Sequence, residues 1–484
     1  MPTQSMPRRR FLLTALATMA FSACAPAGQP AAPAKSEPAK PAESKPAAPA
    51  AQPAATSAPA AAPAQKTAAA SKIVFWHAMS GSLGEAVQKM VDGFNGSQKE
   101  IAVEAIFQGT YDDALAKLKT ALASNSAPAL VHVYDIGVRF MVDSGEIVPM
   151  QEFMDKEKFD TADFEQNVLA YYKLDEKLYG MPFNTSSSIL YYNKNAYKEA
   201  GLDPNKPPKT FDEVTEYAQK LTKKSGSDVQ QYGHHQSIYG WLFEQYMAVS
   251  GGLYVDNGNG RDSKANKAVY NDARGKAILD WWKAGVDGGY FGNFGRVNDD
   301  NAAAFNAGKS AMYVESTARM RGHINASEGK FELGTGFYPR PANAPADGGN
   351  IIGGASVYIL KSRPAPEQQA AWELVKFITS APVQAQWQAD TGYYPVRKAA
   401  YNEPVSKEWV GKFPQFNTAV DQIRAVPLNR ITQGAVFGVF PQARKRIEDA
   451  IEEVLLGRAS SQDALNRAAE EITTAIDRYN KSTG

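Results

Sequence analysis

The chain has 484 residues, of which 52 are Lys or Arg and 51 are Asp or Glu, so the formal net charge is only +1 at pH 7. Because charges of both signs are interspersed, nothing indicates the broad basic face of a nucleic-acid binder, and no nucleic-acid partner is expected. Cys24 is the single cysteine, which excludes a disulfide within the chain and a cysteine-based metal site in the folded part.

Residues 1–24 have the pattern of a lipoprotein export signal. Three arginines precede the apolar run FLLTALATMAF, which is too short to span a bilayer. The pattern R-R-x-F-L from Arg8 resembles a twin-arginine signal but leaves the export route open, and FSAC resembles a lipobox. We therefore expect an exported protein, at the cell surface or in the periplasm, with Cys24 lipidated and anchored to the membrane. The alternative is an incidental cysteine.

Residues 25–70 are dominated by Ala, Pro, Ser, Lys and Glu and contain no aromatic residue. Such a segment cannot bury enough apolar surface to offset the entropy lost on ordering. We predict a disordered tether, whose prolines favour extended conformers that hold the folded part away from the membrane.

The remaining residues, roughly 410 in number, exceed the usual size of one domain, so two lobes are expected. The run KIVFWHA from Lys72 predicts a strand, SLGEAVQKMVDGFN a helix, IAVEAIF a strand, TYDDALAKLKTALAS a helix and ALVHVYD a strand. This β-α-β-α-β order predicts a mostly parallel sheet flanked by helices. The ligand crevice of such a sheet lies at the carboxyl ends of its strands, where Trp76 and Asp135 fall.

Further along the chain, SSILYYN, SAMYVES and GASVYIL read as strands. The helix FDEVTEYAQKLTKK is opened by a capping box from Thr210 to Glu213, and the chain closes with two amphipathic helices, PQARKRIEDAIEEVLLG and DALNRAAEEITTAIDRYN. The second lobe is predicted to begin near Thr185. No histidine pair has the spacing of metal ligands, so no metal site and no cofactor is expected.

Seven segments, taken in order, carry a family resemblance: FWHAMSGSLGEAV, GTYDDAL, APALVHVYDIG, PFNTSSSILYYNK, AGLDPNKPPKTFDEV, IIGGASVYIL and TGYYPVRKAAY. They resemble the extracellular solute-binding proteins of bacterial ABC importers, and most closely the sn-glycerol-3-phosphate-binding subfamily. The resemblance implies a monomeric binding protein and no enzyme. Such a protein closes on a small solute and delivers it to the transmembrane permease subunits.

The resemblance also implies a two-lobed α/β fold of the maltose-binding-protein type, with a mostly parallel, helix-flanked sheet in each lobe and a hinge between them. We assign residues 71–184 and about 318–378 to lobe 1, and residues 185–317 and about 379–484 to lobe 2.

Eight residues are the candidate ligand contacts. Seven are implied by the resemblance, and Trp76 is added because it ends a strand; together they are Trp76, Tyr111, Asp135, Ser186, Phe211, Ser316, Gly354 and Tyr393. Structural alternatives stay open for several of them: a surface tyrosine at a helix start, a helix-capping aspartate, a serine-rich turn and a tight glycine bend.

The class of solute rests on two positions. The Asp135 carboxylate is expected to accept hydrogen bonds from ligand hydroxyls. Val436 stands where the subfamily has a phosphate-binding arginine, so a phosphate would need Arg340, Arg430 or a helix N-terminus instead. We expect a glycerol-3-phosphate or glycerophosphodiester ligand; the alternative is a neutral sugar. A secreted glycoside or phosphodiester hydrolase, with Glu315 as the second carboxylate, is the competing class.

Overall fold

The computed structural model describes residues 71–483. The predicted export signal, Cys24 and the predicted tether lie outside the described residues, as does Gly484.

The described residues form fourteen strands: β1 (Ser71–His77), β2 (Ile101–Phe107), β3 (Leu130–Tyr134), β4 (Ile147–Val148), β5 (Lys173–Leu174), β6 (Lys177–Leu178), β7 (Met181–Ser186), β8 (Ser188–Asn193), β9 (Lys223–Ser225), β10 (Asp228–Gln236), β11 (Phe291–Gly292), β12 (Ser310–Ser316), β13 (Leu333–Gly336) and β14 (Gly353–Leu360).

Eighteen helical segments accompany these strands: α1 (Gly81–Ser97), α2 (Tyr111–Ala123), α3 (Val138–Asp143), α4 (Met150–Glu157), α5 (Gln166–Tyr172), α6 (Lys194–Glu199), α7 (Phe211–Leu221), α8 (Gly240–Val249), α9 (Asp256–Gly260), α10 (Ala273–Asp287), α11 (Asn298–Asn306), α12 (Met320–Ser327), α13 (Ala365–Ile378), α14 (Ala381–Thr391), α15 (Pro404–Lys412), α16 (Asn417–Arg424), α17 (Phe440–Leu455) and α18 (Ser461–Ser482). Of these, α9 contains three consecutive residues with left-handed backbone angles. Within residues 71–483, no helix is both long enough and apolar enough to cross a membrane.

The first sheet has the strand order β2-β1-β3-β14-β4, and β7 also pairs with β14. Strand β1 runs parallel to β2 and β3, as the β-α-β-α-β pattern predicts. Strand β14 joins this core antiparallel to β3. All five residues of β3 are buried, as expected for a strand covered on both faces.

The second sheet has the order β11-β10-β12-β8-β13, with β9 paired to β10. Strand β10 runs parallel to β11 and β12, and β8 is antiparallel to β12 and β13. The position of β13 corrects one predicted boundary, because residues 318–378 were assigned to lobe 1 whereas Leu333–Gly336 pair with β8 of the second sheet. The four-residue stretch LGTG has too little hydrophobic pattern to reveal this pairing.

The chain passes between the two sheets within a few residues of Thr185. Strand β7 ends in the first sheet at Ser186, and β8 begins in the second sheet at Ser188. A later return brings the chain from β13 of the second sheet back to β14 of the first, whose Gly353 is the register partner of Ser186. Both passages therefore bring small residues to the boundary between the lobes.

Helix caps confirm the predicted starts of two helices. Thr110 and Asp113 form a capping box at α2, and Thr210 and Glu213 form one at α7. The long C-terminal helices α17 and α18 pack together and against α10, and α17 also contacts the single turn Asp135–Gly137 that follows β3. This contact brings a helix from near the end of the chain beside a strand end of the first sheet.

Candidate functional site

A cavity of about 680 Å³ lies where strand ends of the two sheets meet. The first sheet contributes Asp135, which follows β3, together with Ser186 and Gly354. The second sheet contributes Ser316, the last residue of β12. A volume of this size falls in the range of small-molecule sites, which occupy about 300 to 1,000 Å³.

Six of the eight predicted contacts line this one cavity. They are Tyr111, Asp135, Ser186, Ser316, Gly354 and Tyr393. Residues from six separate segments of the chain therefore converge on the same space, as a shared ligand site requires.

Two predicted contacts lie elsewhere. Trp76 is on the opposite face of β1 from Phe75 and His77, so it packs against the hydrophobic core that includes residues of α2. Phe211 is buried at the start of α7, with its ring parallel to the Trp281 ring at a centroid distance of 4.2 Å. Neither residue lines the cavity, because Phe211 buries its aromatic surface in the core and the partly buried Trp76 packs against it.

Asp135 forms a buried ion pair. The Arg444 guanidinium of α17 approaches it, with Nη2 3.0 Å from Oδ2, and also donates to Glu244 of α8 through Nε and Nη2 at 2.8 Å. All three side chains are less than a tenth exposed. Burial raises the pKa of the Glu244 carboxyl to about 7, although Arg444 pulls it down. Arg444 therefore anchors the carboxylate at the floor of the cavity.

The four hydroxyls from Thr185 to Ser188 divide into two roles. Ser187 Oγ accepts from Gln422, and Ser188 Oγ accepts from Asn350. Ser186, by contrast, lines the cavity, and within residues 71–483 its hydroxyl makes no hydrogen bond. The serine-rich stretch is therefore mostly structural at the crossing, and Ser186 alone in it offers a free hydroxyl to a ligand.

The aromatic side of the cavity is held by a second layer of polar contacts. The Tyr111 ring stacks on Tyr134 at 5.2 Å, and its hydroxyl accepts from Asn184 Nδ2 at 3.1 Å. Asn184 Oδ1 lies 2.7 Å from His132 Nε2. Because burial lowers the pKa of His132 to about 4, the imidazole is neutral at pH 7 and carries no competing charge. These contacts fix Tyr111 at the cavity wall, which corrects the alternative of a surface tyrosine.

Gly354 is a position that only glycine can fill. Its φ is +102°, a conformation that side chains strongly disfavour, and an added Cβ would lie 1.9 Å from the Asn184 carbonyl oxygen. The missing side chain thus allows β14 to approach β7 at the cavity wall.

Ser316 has a structural role as well as a place in the cavity wall. Its Oγ accepts from the Ala318 amide and caps the turn Thr317–Arg319. The neighbouring Glu315 carboxylate is buried, and its pKa is raised mainly by that burial. It accepts hydrogen bonds from the Tyr313 hydroxyl and the Ser316 amide.

The cavity lining is rich in charged groups. Its ionisable Asp, Glu and Arg side chains are Asp135, Asp299, Glu315, Asp390, Arg319 and Arg321. Arg319 pairs with Asp299 at 2.6 Å, and Asp390 pairs with Lys89 at 2.9 Å. Arg321 forms no ion pair with any residue that the structure describes; its guanidinium lies over the Trp409 ring at 4.0 Å. One cation of the lining is therefore available for an anionic group.

The residues expected to decide phosphate binding lie away from the cavity. Val436 is buried in the core, and its amide donates to the Asn259 carbonyl. Arg430 pairs with Asp262, and Arg340 donates to two backbone carbonyls of its own loop. None of the three lines the cavity.

Several lining residues were missed by the sequence reasoning. They are Tyr239, Trp241, Asn298, Asp299, Arg319 and Arg321. Trp241 is 3% exposed, and its indole Nε1 has no hydrogen-bond partner among the described residues. The indole N–H at the cavity wall is therefore an unused hydrogen-bond donor. A tryptophan in the first turn of a buried helix gives no sequence signal that separates this role from core packing.

Comparison with known proteins places these features in a family. The model of the bacterial extracellular solute-binding proteins matches residues 89–415. The sn-glycerol-3-phosphate-binding periplasmic protein UgpB of Escherichia coli (strain K12) is 32% identical over 426 residues, which cover 86% of this chain and 94% of that protein. No metal-binding group of three or more His, Cys, Asp or Glu side chains occurs among residues 71–483.

Solved structures show the same two-lobed fold. UgpB from Mycobacterium tuberculosis in complex with glycerophosphocholine has a TM-score of 0.73 at 22% identity and covers 85% of this chain and 99% of its own. The GacH receptor of Streptomyces glaucescens, solved unliganded and with acarbose, has a TM-score of 0.70 at 20% identity, with 84% and 99% covered. The relatives are binding proteins, which sets aside the hydrolase hypothesis. This chain thus belongs to the bacterial extracellular solute-binding proteins, and it is the solute-binding protein of an ABC importer.

Proposed function

We propose that the solute is a small hydroxylated molecule of the glycerophosphodiester class, captured between the lobes and delivered to the permease. The observation that carries this proposal is the charge pattern of the cavity. Asp135 is an anchored acceptor for ligand hydroxyls, beside the free hydroxyl of Ser186, while Arg321 is the one lining cation without an ion pair among the described residues.

A single available cation suits a single negative charge. A phosphate monoester carries about −1.5 to −2 charges at pH 7, whereas a phosphodiester carries one. A dianion would bring a second charge into a lining that already holds four carboxyl groups. Glycerol-3-phosphate is therefore the weaker candidate within the class, although relatives such as UgpB of Escherichia coli are named for binding it.

A neutral sugar is the second candidate. The cavity wall contains Tyr111, Tyr239, Trp241 and Tyr393, and aromatic faces pack against the C–H surfaces of sugar rings. The acarbose complex of GacH shows the same fold holding an oligosaccharide analogue. The two candidates differ in their need for a cation: a glycerophosphodiester needs Arg321, whereas a neutral sugar does not.

Calorimetry on the full-length protein tests the assignment, with glycerophosphoglycerol, glycerol-3-phosphate and maltose as ligands. We expect the diester to bind most tightly. Ser186→Ala should weaken its binding about fivefold, since a hydrogen bond is worth about 1 kcal/mol, and should leave the melting temperature unchanged. Ser227→Ala, on an exposed turn, is the matched control. Binding of maltose without binding of the diester would assign the protein to neutral sugars.

We also propose that the protein is a monomeric lipoprotein, with residues 1–24 as its export signal and residues 25–70 as its tether. The FSAC motif supports lipidation of Cys24. Cys24→Ser should move the protein from the membrane fraction to the soluble fraction. A Cys24→Ser variant that stayed with the membranes would contradict the anchor.

Closure of the lobes on the solute completes the proposal. A ligand that contacts both lobes favours the closed state in proportion to its differential affinity. Small-angle scattering should show compaction with every ligand that raises the melting temperature, and stabilisation without compaction would refute the closure.

A further inference from the structure

A second, smaller cavity of about 260 Å³ adjoins the main one. Arg321 and Asn325 line both cavities. The two residues are four apart on α12, so they lie on the same face of that helix, where i and i+4 side chains are neighbours. A ligand in the main cavity can therefore extend into the smaller one, which we call the side cavity, past these two side chains.

The side cavity has an aromatic wall. Trp409 of α15 and Phe413, the residue after that helix, stack at a ring-centroid distance of 5.1 Å. Both are partly buried, and the Arg321 guanidinium covers the Trp409 ring at 4.0 Å. The contact holds Arg321 in one place between the cavities, because a guanidinium over an indole ring is attracted by the ring electrons.

The charges around the side cavity favour some substituents over others. Its lining contains the cations Arg321 and Lys412 and one carboxylate, Glu328. The cationic groups therefore outnumber the anionic ones by one. Polar neutral groups are supplied by Asn325, Ser327 and Gln415. A cationic substituent would meet two like charges and a tryptophan face that Arg321 already occupies, whereas a hydroxylated neutral group would find amides and a hydroxyl.

We propose that the side cavity is a second subsite for the substituent on the far side of the phosphodiester, and that it selects neutral polyols over cations. This inference rests on the proposed function, since it places the glycerol part in the main cavity and the phosphodiester at Arg321. The preferred ligand then has the form glycerol, phosphodiester, neutral polyol. The choline group of glycerophosphocholine is disfavoured by Arg321 and Lys412.

The test compares three ligands by calorimetry on the full-length protein: glycerophosphoinositol, glycerophosphocholine and glycerol-3-phosphate. We expect glycerophosphoinositol to bind at least about tenfold more tightly than glycerophosphocholine. Trp409→Ala should weaken glycerophosphoinositol about tenfold, because it removes both an aromatic wall of the side cavity and the contact that holds Arg321; it should weaken glycerol-3-phosphate clearly less, because that ligand loses only the second of these. Lys407→Ala, an exposed position on the same helix that does not line the side cavity, is the control.

A second variant keeps the test decisive if Trp409→Ala destabilises the fold. Asn325→Asp changes an exposed side chain, so the melting temperature should not move, yet it adds a negative charge where the cavities meet and should weaken the binding of every phosphodiester. If both diesters bind equally well and neither variant alters their affinity, the subsite is refuted while the proposed function stands. If neither diester nor glycerol-3-phosphate binds, the proposed function itself fails.

Discussion

Arg444 is expected to be the most sensitive charged residue at the floor of the cavity. It joins α17 to Asp135 after β3 and to Glu244 on α8, with three of its contacts between 2.8 and 3.0 Å. Arg444→Met keeps the aliphatic part of the side chain and removes the charge. Two buried carboxylates are then left without their shared cation.

The size of the effect follows from the burial of all three groups. Removing one partner of a buried ion pair costs about 3 to 5 kcal/mol, because the remaining charge has lost its hydration and gains nothing in return. With an unfolding entropy of about 2 cal/mol/K per residue, roughly 410 ordered residues give about 0.9 kcal/mol/K. If the lobes unfold together, Arg444→Met should lower the melting temperature by roughly 3 to 6 °C.

Thermal unfolding followed by circular dichroism measures this shift, and two further variants locate its cause. Arg430→Met is the control, since its ion pair with Asp262 is about half exposed on both sides and such pairs contribute about 0 to 1 kcal/mol. Adding Glu244→Gln to Arg444→Met removes one stranded charge and should restore part of the loss.

The pH dependence of the same variant has a definite sign. Burial raises the pKa of Glu244 to about 7, above its ordinary value of 4.5, so the folded state holds a proton that the unfolded state has released. This contribution to stability therefore grows as the pH falls through 7. The difference in melting temperature between the unsubstituted protein and Arg444→Met should accordingly become smaller between about pH 8 and about pH 6. A shift no larger than that of Arg430→Met, or one that grows on acidification, would refute the reasoning.

Three further predictions follow from the packing around the site. Gly354→Ala should abolish solute binding and destabilise the fold by several kcal/mol, because the added Cβ would lie 1.9 Å from a carbonyl oxygen. Gly96→Ala is the control: the space around Gly96 is open, so thermal unfolding should show a neutral or stabilising effect. Val436→Arg should lower the melting temperature, because it buries an unpaired charge in the core. The ratio of the affinities for glycerol-3-phosphate and glycerol, measured by calorimetry, should not change. A higher relative affinity for glycerol-3-phosphate would contradict the position of Val436 in the core. Acidification from about pH 6.5 to about pH 4.5 should lower the free energy of unfolding measured in urea, because burial lowers the folded-state pKa of all five histidines and each adds up to about 1.4 kcal/mol per pH unit. The pKa falls to about 4 for His132, about 4 for His234 and about 3 for His323. A flat profile over this range would show that they are protonated in the folded protein.

Local patterns in the sequence were sufficient for six of the fourteen strands and for five of the eighteen helical segments. The capping boxes at Thr110 and Thr210 and the apolar runs of β1, β2 and β3 predicted elements that the structure contains. These signals are local, because a cap or a periodic face is written in residues a few positions apart. The ordered set of matched segments likewise predicted the family, which the family model and the curated relatives confirm.

The charge state of the site depended on contacts that no local pattern encodes. Asp135 and Arg444 are 309 positions apart, and only the packing of α17 against the turn after β3 brings them together. In the same way, Phe211 and Trp76 are aromatic, as ligand-stacking residues are, but Phe211 is buried in the core and Trp76 packs against it. The sequence by itself determined these elements and the family, and it named six of the residues that line the cavity. The tertiary structure decided which charges are already paired, because pairing depends on distances between segments far apart along the chain.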